Sequence, residues 1–421
     1  MADGGRRAQS GPPLVLAPVE RRILGAVVRA GALTRSDIAR ELRLSRSKLS
    51  PVILALIEDG LLVATGLADS HGGRRGDLLG AAGPESAVVV GLEIDVDRLR
   101  VVVATVGMQI VATTCERIDA ASDPEGTLAA ANEMVPAAID AGWGPLVAIG
   151  ISLPAAIDAA TGAAAVAPAM PSWVGFPVAE RLSDAFATRV FVDSDLNALA
   201  LAEMTAPHRP PLGPAVLVVK AHEGIGCGIV VNNAIFRGSH GSAGEIGHIA
   251  AEPDDDTICA CGHRGCLEAL VQPVNLAARA RELAARERAT VLRPPLDRDE
   301  LSLDDIGRAA RDGDPIATLL LRELGMRIGF VLAGTVSFFN PSSIVVSTAR
   351  MLGSDVLMGA IRQGIYERAF PGVTRRLQIV ESELGDDAVA IGSAVLARDG
   401  FLGMAGKVAH SRGLSAMPEH V

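Results

Sequence analysis

The sequence predicts an α/β body of two similar lobes behind a small head, and three observations carry that expectation. Strand-like and helix-like runs alternate from Val88 onward, and the pattern restarts at Ala215. Residues 1–86 hold twelve Arg or Lys against nine Asp or Glu, whereas the rest of the chain holds 27 against 40, so a basic head precedes an acidic body. At 421 residues the chain is long enough for two or three domains, each with its own core.

The head reads as helices followed by a short β-rich stretch. Residues 1–17, like 405–421 at the other end, are rich in small and turn-forming residues and are expected to be disordered. Residues 19–31 then place Ile23, Leu24, Val27 and Val28 at helical spacing, and Gly31 stops the run. Thr34 caps a second helix with Asp37 three residues on, and Ile38, Ala39 and Leu42 form its inner face. Ser45 caps a third helix, which turns Leu49, Ile53, Leu56 and Ile57 inward and gathers Arg46, Ser47, Lys48 and Ser50 at its opening turns. Pro51 sits early enough in that helix to be tolerated.

After Gly60 the pattern changes to a β-like run, Leu61 to Ala64, then a polar loop with Arg74 and Arg75, then Leu78 and Leu79. Residues 18–80 are therefore expected to be an all-α winged helix-turn-helix domain. Its third helix would read base edges and its two loop arginines would enter a minor groove. An ordinary helical subdomain with a solvated loop is the plainer alternative. Residues 81–86 read as a linker.

In the body, strands are expected at Val88–Ile94, Leu99–Val106, Leu146–Ile151 and Ala215–Val219, with a helix around Gly126–Ala141. Gly224 to Gly228 reads as a glycine-rich turn between two strands. The densest chemistry lies between His248 and Cys266, where one imidazole and the thiols of Cys259, Cys261 and Cys266 fall within nineteen residues. Three thiolates and an imidazole suit a closed, tetrahedral, structural Zn²⁺, because borderline-soft zinc prefers sulfur and nitrogen and a closed site leaves no place for a catalytic water. A disulfide or a set of buried thiols is the alternative, and Cys-x-Cys is a poor disulfide pair.

Only Cys115 and Cys227 lie outside that cluster, so no disulfide framework is expected. The first thirty residues show no signal segment, and no apolar run is long enough to require a bilayer. A cytoplasmic setting is expected.

These segments together resemble the ROK family of repressors, open reading frames and sugar kinases. The resemblance rests on Gly244-Glu245-x-Gly247-His248 through Cys266-Leu-Glu268, with Gly150 to Pro154, Pro168 to Trp173, Val192 to Asn197, Phe339 to Pro341 and Leu384 to Gly392 matching in order. It implies a two-lobed, actin-like (ribonuclease-H-like) fold, with residues 87–196 and 384–404 in the first α/β lobe and 197–383 in the second. A winged head in front of such a body resembles the family's transcription-repressor branch.

The kinases of the family carry Asp-x-Gly-Gly-Thr after the first strand. Glu93-Ile94-Asp95-Val96-Asp97 stands there, putting bulk and negative charge where polyphosphate would lie. His222-Glu223-Gly224 replaces a Gly-Thr-Gly, and Ser347-Thr348 replaces a Gly-Gly near the adenine. These losses argue against phosphoryl transfer, so no catalytic residue is expected, although Asp195 matches the kinases' general base.

Ser194, Asp195, Glu245, His248 and Glu268 match sugar-contacting positions, His248 serving both metal and ligand. Ala155 and Ala169 depart from the pattern, and so does Ser194, which stands where the kinases have Asn, pointing to an altered sugar or sugar derivative. Asp195 would also suit the N-cap of a helix over Leu196 to Glu203. The expected function is a sugar-responsive repressor of carbohydrate genes that binds operator DNA as a homodimer or tetramer, needs structural Zn²⁺ and touches no membrane. A sugar kinase carrying a DNA-binding head is the rival.

Overall fold

The computed structural model describes residues 14–68, 76–206, 211–221, 224–252, 256–286, 290–298, 301–348, 355–404 and 409–410. The expectations for Arg74, Arg75, His222, Glu223, 1–13, 405–408 and 411–421 lie outside the described residues. Within the expected disordered ends, Leu16 is buried in a stretch without regular structure and Ala409–His410 forms a strand. Each supplies what a neighbour lacks, an apolar side chain in one case and a pairing edge in the other.

The head begins with helix α1, Pro18–Ala30, which buries Ile23, Leu24 and Val27 and ends at Gly31 with φ of 78°, a conformation that favours glycine. Strand β1, Leu33–Thr34, leads into α2, Arg35–Leu42. The expected capping box is present: Thr34 Oγ1 accepts the Asp37 N–H at 3.2 Å, and Asp37 Oδ2 accepts the Thr34 N–H at 3.4 Å. The Thr34 hydroxyl beside it holds the Asp37 carboxyl below the usual carboxylate range.

Helix α3, Arg46–Glu58, buries Leu49, Ile53 and Leu56 and continues through Pro51. Ser45 stands at its N-cap position but bonds the Ser47 hydroxyl at 3.1 Å rather than a backbone N–H, which corrects the expected cap. Strands β2, Leu62–Leu67, and β3, Asp77–Ala81, complete the head. The head is therefore not all-α, for β1, β3 and β2 form a three-stranded antiparallel sheet in that order. Leu33 pairs with Leu79 and Thr34 with Leu78, and that pairing recruits the cap residue of α2 and its predecessor into the sheet.

The body starts with β4 Val88–Asp95, β5 Arg98–Thr105 and β6 Ile110–Arg117, a meander followed by α4 Pro124–Ala138 and β7 Leu146–Leu153. The small hairpin β8 Ala156–Ile157 and β9 Ala164–Val166 precedes α5 Val178–Phe186, β10 Arg189–Ser194 and α6 Asp195–Thr205. Next come β11 Ala215–Ala221, β12 Ile225–Val231, β13 Ala234–Ile235, α7 Leu267–Val271, α8 Pro273–Arg286, α9 Arg293–Asp297 and α10 Leu303–Arg311. The chain closes with α11 Pro315–Phe339, β14 Ser343–Ser347, α12 Asp355–Arg368, α13 Pro371–Thr374, β15 Gln378–Glu381, α14 Ala388–Leu402 and β16 Ala409–His410. The glycine-rich stretch expected as a turn is strand β12 from Ile225 onward, with Gly226 and Gly228 paired to Lys220 and Val218.

Two units share these elements, one of residues 1–198 and 389–421, the other of 199–388. In the first, the sheet order is β16-β10-β7-β4-β5-β6; in the second it is β13-β12-β11-β14-β15. In each unit three successive antiparallel strands are extended by two parallel ones on the side of the first, so both repeat one plan.

In the first unit α14 lies against β4 and β7 at Gly91 and Gly150. A Cβ on either would sit 2.1 Å from Ala390 O or 1.9 Å from Ser393 O, so bare backbone is required there. In the second unit α11 and α12 run parallel and meet at Gly325, Gly329 and Gly364, again with room for little beyond backbone. No described helix is long and apolar enough to cross a membrane.

Candidate functional site

The described residues of 249–266 contain almost no regular structure, only the bridges Ala250 to Cys266 and Ile258 to Arg264. Turns do the folding. Cys259 N–H donates to His263 O at 2.8 Å, Gly262 N–H to Cys259 O at 2.9 Å and Gly265 N–H to Thr257 O at 3.1 Å, with Gly262 and Gly265 at φ of 89° and 66°. Those turns bring His248, Cys259, Cys261 and Cys266 together, their four donor atoms within 4.8 Å of one another.

His248 Nδ1 lies 3.6 Å from Cys259 Sγ, and Cys261 Sγ lies 3.7 Å from Cys266 Sγ. A tetrahedral zinc would space two thiolates by about 3.8 Å and a thiolate and imidazole nitrogen by about 3.6 Å, given its usual bond lengths. The cluster could therefore hold a metal such as zinc. Burial pushes the Cys266 thiol up to about 12 and raises Cys259, while the His263 backbone N–H draws Cys261 down to about 6. Three thiolates would share so small a volume only around a cation. Cys227, also pushed up to about 12 by burial, lies outside the cluster and is a core side chain.

The segment before His248 is seated by two glycines on β12. A Cβ on Gly244, whose φ is 96°, would lie 1.7 Å from Cys227 O, and one on Gly247 would lie 2.1 Å from Ile225 O. Glu245 consequently enters one turn of 3-10 helix, Ile246–His248, with its Oε2 at 3.9 Å from His248 Nε2. The ring so presents Nδ1 to the sulfurs and Nε2 to a carboxylate. Glu268, in the first turn of α7, extends its Oε2 to 3.8 Å from the Cβ position of Gly224, and its Cβ lies 3.3 Å from that of Gly247. Glu245, His248 and Glu268 are thus neighbours within the second unit.

Ser194 and Asp195 belong to the first unit, at the junction of β10 and α6, and both are buried. The capping of α6 is done by Ser194, whose Oγ accepts the Asn197 N–H at 3.2 Å, while Asp193 accepts the Asn197 side-chain amide at 2.7 Å. Asp195 accepts the Leu196 N–H at 2.9 Å and is not the N-cap that the plainer sequence alternative gave it. Trp173 is packing, its Nε1–H donating to Ala120 O at 2.7 Å and its ring edge-on to Phe176.

The loop after β4 is a tight hairpin closed by its own charges. Arg98 Nε lies 2.7 Å from Asp97 and 3.6 Å from Asp95, and Arg100 reaches Glu93 across the strand pair at 3.6 Å. The two arginines carry a function that the acids alone did not signal. Cross-strand register decides which side chains meet, and spacing along one strand does not reveal it. In the second unit Thr348 donates to Glu381 at 2.9 Å, filling the end of β14 with side chains. In the head, Arg46, Ser47, Lys48 and Ser50 are all exposed on the opening turns of α3.

The model of the family described as the ROK family matches residues 89–400. A xylose repressor of Caldicellulosiruptor bescii is 25% identical over 373 residues, 88% of this chain and 92% of that protein. Among solved structures, a ROK family transcriptional regulator described as a homologue of the Escherichia coli Mlc protein superposes with a TM-score of 0.76 at 24% identity. That match covers 92% of this chain and 98% of the other. A ROK family glucokinase from Streptomyces griseus, in complex with glucose and AMPPNP, gives 0.66 at 27% identity, over 74% of this chain and 99% of its own. The two units with one repeated sheet order thus have the actin-like fold of this family.

Purified protein should carry one metal ion per chain by elemental analysis. Cys266→Ser should lower that content at least tenfold and Cys227→Ser should leave it unchanged; retention in both variants would mean that the cluster binds no ion.

Proposed function

The chain belongs to the ROK family, and from that premise we propose that it is a sugar-responsive, DNA-binding repressor of carbohydrate genes, working in the cytoplasm with a structural Zn²⁺. The observation that carries this reading is α3. Its apolar face is buried, and Arg46, Ser47, Lys48 and Ser50 stand exposed together at its start, the arrangement of a recognition helix in a winged helix-turn-helix. Arg74 and Arg75 fall in the connection between β2 and β3, where a wing would meet the minor groove.

Zinc is the ion we assign to His248, Cys259, Cys261 and Cys266, on the spacing of their donors and the absence of a carboxylate among them. Such a site supplies folding energy to the loop and offers no position for a substrate. The effector contacts we assign are Glu245, His248 and Glu268, with Ser194 and Asp195. Carboxylates accept sugar hydroxyls, and His248 Nε2, turned away from the sulfurs, can donate to one. The metal would fix the ring through Nδ1 and so fix where Nε2 points.

Phosphoryl transfer is not part of this reading. Asp95, Asp97 and Arg98 close the hairpin where a kinase of the family offers bare amides to polyphosphate, and the residues present do not fit a nucleotide. The likeness to a glucokinase, together with Asp195, keeps a sugar kinase as the second reading. A radiolabelled phosphoryl-transfer assay across hexoses should show no turnover. Turnover abolished by Asp195→Asn would establish the kinase instead.

A DNA mobility-shift titration at fixed salt, run against a panel of pentoses, hexoses and N-acetylhexosamines, tests the reading directly. One sugar should displace the binding curve, and Arg46→Ala with Lys48→Ala should weaken binding at least tenfold and flatten its salt dependence. Unchanged affinity in that double variant would remove α3 as the DNA-reading element.

A further inference from the structure

On helix α1, Arg21, Gly25 and Arg29 are spaced four residues apart and so share one face. That face meets the end of α14. Gly403, at φ of 69°, closes α14 in a Schellman turn, its N–H donating to Gly400 O at 3.3 Å and the Met404 N–H to Asp399 O at 2.7 Å. The turn carries Met404 out of the helix and onto α1. A Cβ on Gly25 would lie 2.8 Å from Met404 Sδ, and Arg29 Nη1 donates to that sulfur at 2.8 Å. Arg21 Cδ lies 3.9 Å from the Cβ position of Gly403. Asp399, largely buried beside this contact and held by Arg398 at 2.8 Å, adds a negative charge that attracts Arg29.

Near its other end, α14 meets α6. A Cβ on Gly392 would lie 1.7 Å from Ala198 O, so α14 touches the backbone of α6 one turn from Asp195, the residue assigned above to an effector hydroxyl. Helix α14 has 15 residues, about 22 Å at 1.5 Å per residue. Its contacts with Gly91 of β4 and Gly150 of β7 are backbone on backbone. Such contacts hold no flexible side chain that could absorb a shift, so a displacement at α6 travels along α14.

We propose that Met404, seated on Gly25 of α1, is the joint that passes occupation of the Asp195 end of α6, through α14, to the DNA-reading head. The proposal rests on the repressor reading. The head is also tied to the body near its linker, where the Gly144 N–H donates to Pro84 O at 2.8 Å and Gly107 packs on Ala81. Two ties on different elements fix its orientation. A shift of α14 moves one of them, and the head then turns about the other, re-aiming α3. Met404 is thus a positioning residue, and its long, flexible thioether suits a contact that must stay filled while the parts move.

The test is amide hydrogen exchange of the full-length protein with and without a random-sequence duplex of about 30 base pairs at low salt, where cations bind DNA without sequence preference. Coupling is reciprocal, so DNA on the head must act back on α6. The duplex should change exchange at residues 196–201 of wild type by about threefold or more. Met404→Ala should bind the duplex as tightly and lose that change, and Met404→Leu, which refills the seat on Gly25, should restore it. A contact that only stabilised the head would instead weaken DNA binding in Met404→Ala and leave the change at α6 in place. Wild type whose α6 ignores the duplex, or Met404→Ala that keeps the change, overturns the proposal. Wild type that binds no DNA strikes the repressor reading and the joint with it, whereas DNA binding without a response at α6 strikes the joint alone.

Discussion

Three sulfurs and one imidazole nitrogen converge within 4.8 Å of one another, in a stretch whose described residues are tied by two isolated bridges rather than by a helix or a named strand. Hydrogen bonds in the loop join its two ends, as from Ala251 N–H to Gly265 O and from Leu267 N–H to Ile249 O, and close turns at two left-handed glycines, Gly262 and Gly265. Without a cation among them the buried thiols of Cys259 and Cys266 would stay protonated and the four groups would have little reason to converge. Gly244 and Gly247, seated on β12, place Glu245 and the turn that carries His248, and the convergence involves the Nδ1 side of its ring. Arg327 of α11 ties the same loop to that helix through Glu252 at 2.7 Å.

The kinase-like body and the features that would silence it sit on the same strands. β4 and β7 have the close glycine approach to α14 that packs the first unit, while the residues immediately after β4 form a hairpin of ion pairs. Packing and phosphate binding are separable in such a fold, since packing depends on buried backbone contacts and phosphate binding on a few exposed amides. Asp195 survives at the start of α6 in a buried setting, where a carboxylate can still accept hydroxyl groups.

Much of this was readable from residue order. The Thr34 and Asp37 box, the end of α1 at Gly31 and the convergence of His248, Cys259, Cys261 and Cys266 are local patterns in which spacing decides geometry. What was not readable depended on pairing across distance. The two-residue strand β1 exists because Leu79 lies opposite Leu33, Gly226 and Gly228 are strand because β11 pairs with them, and Arg98 and Arg100 meet the acids of their hairpin by register. The cap of α6 is Ser194, one residue before the Asp195 that the plainer alternative offers, within the usual uncertainty of a helix boundary.

In the proposed repressor, a bound metal would set the imidazole that senses the effector. That role is tested most directly by measuring DNA affinity at fixed salt for wild type and His248→Ala, with and without the sugar that displaces the wild-type curve. The account predicts that His248→Ala still binds DNA but loses at least nine-tenths of the sugar-induced change. A variant that binds DNA and responds to the sugar as wild type does would contradict it.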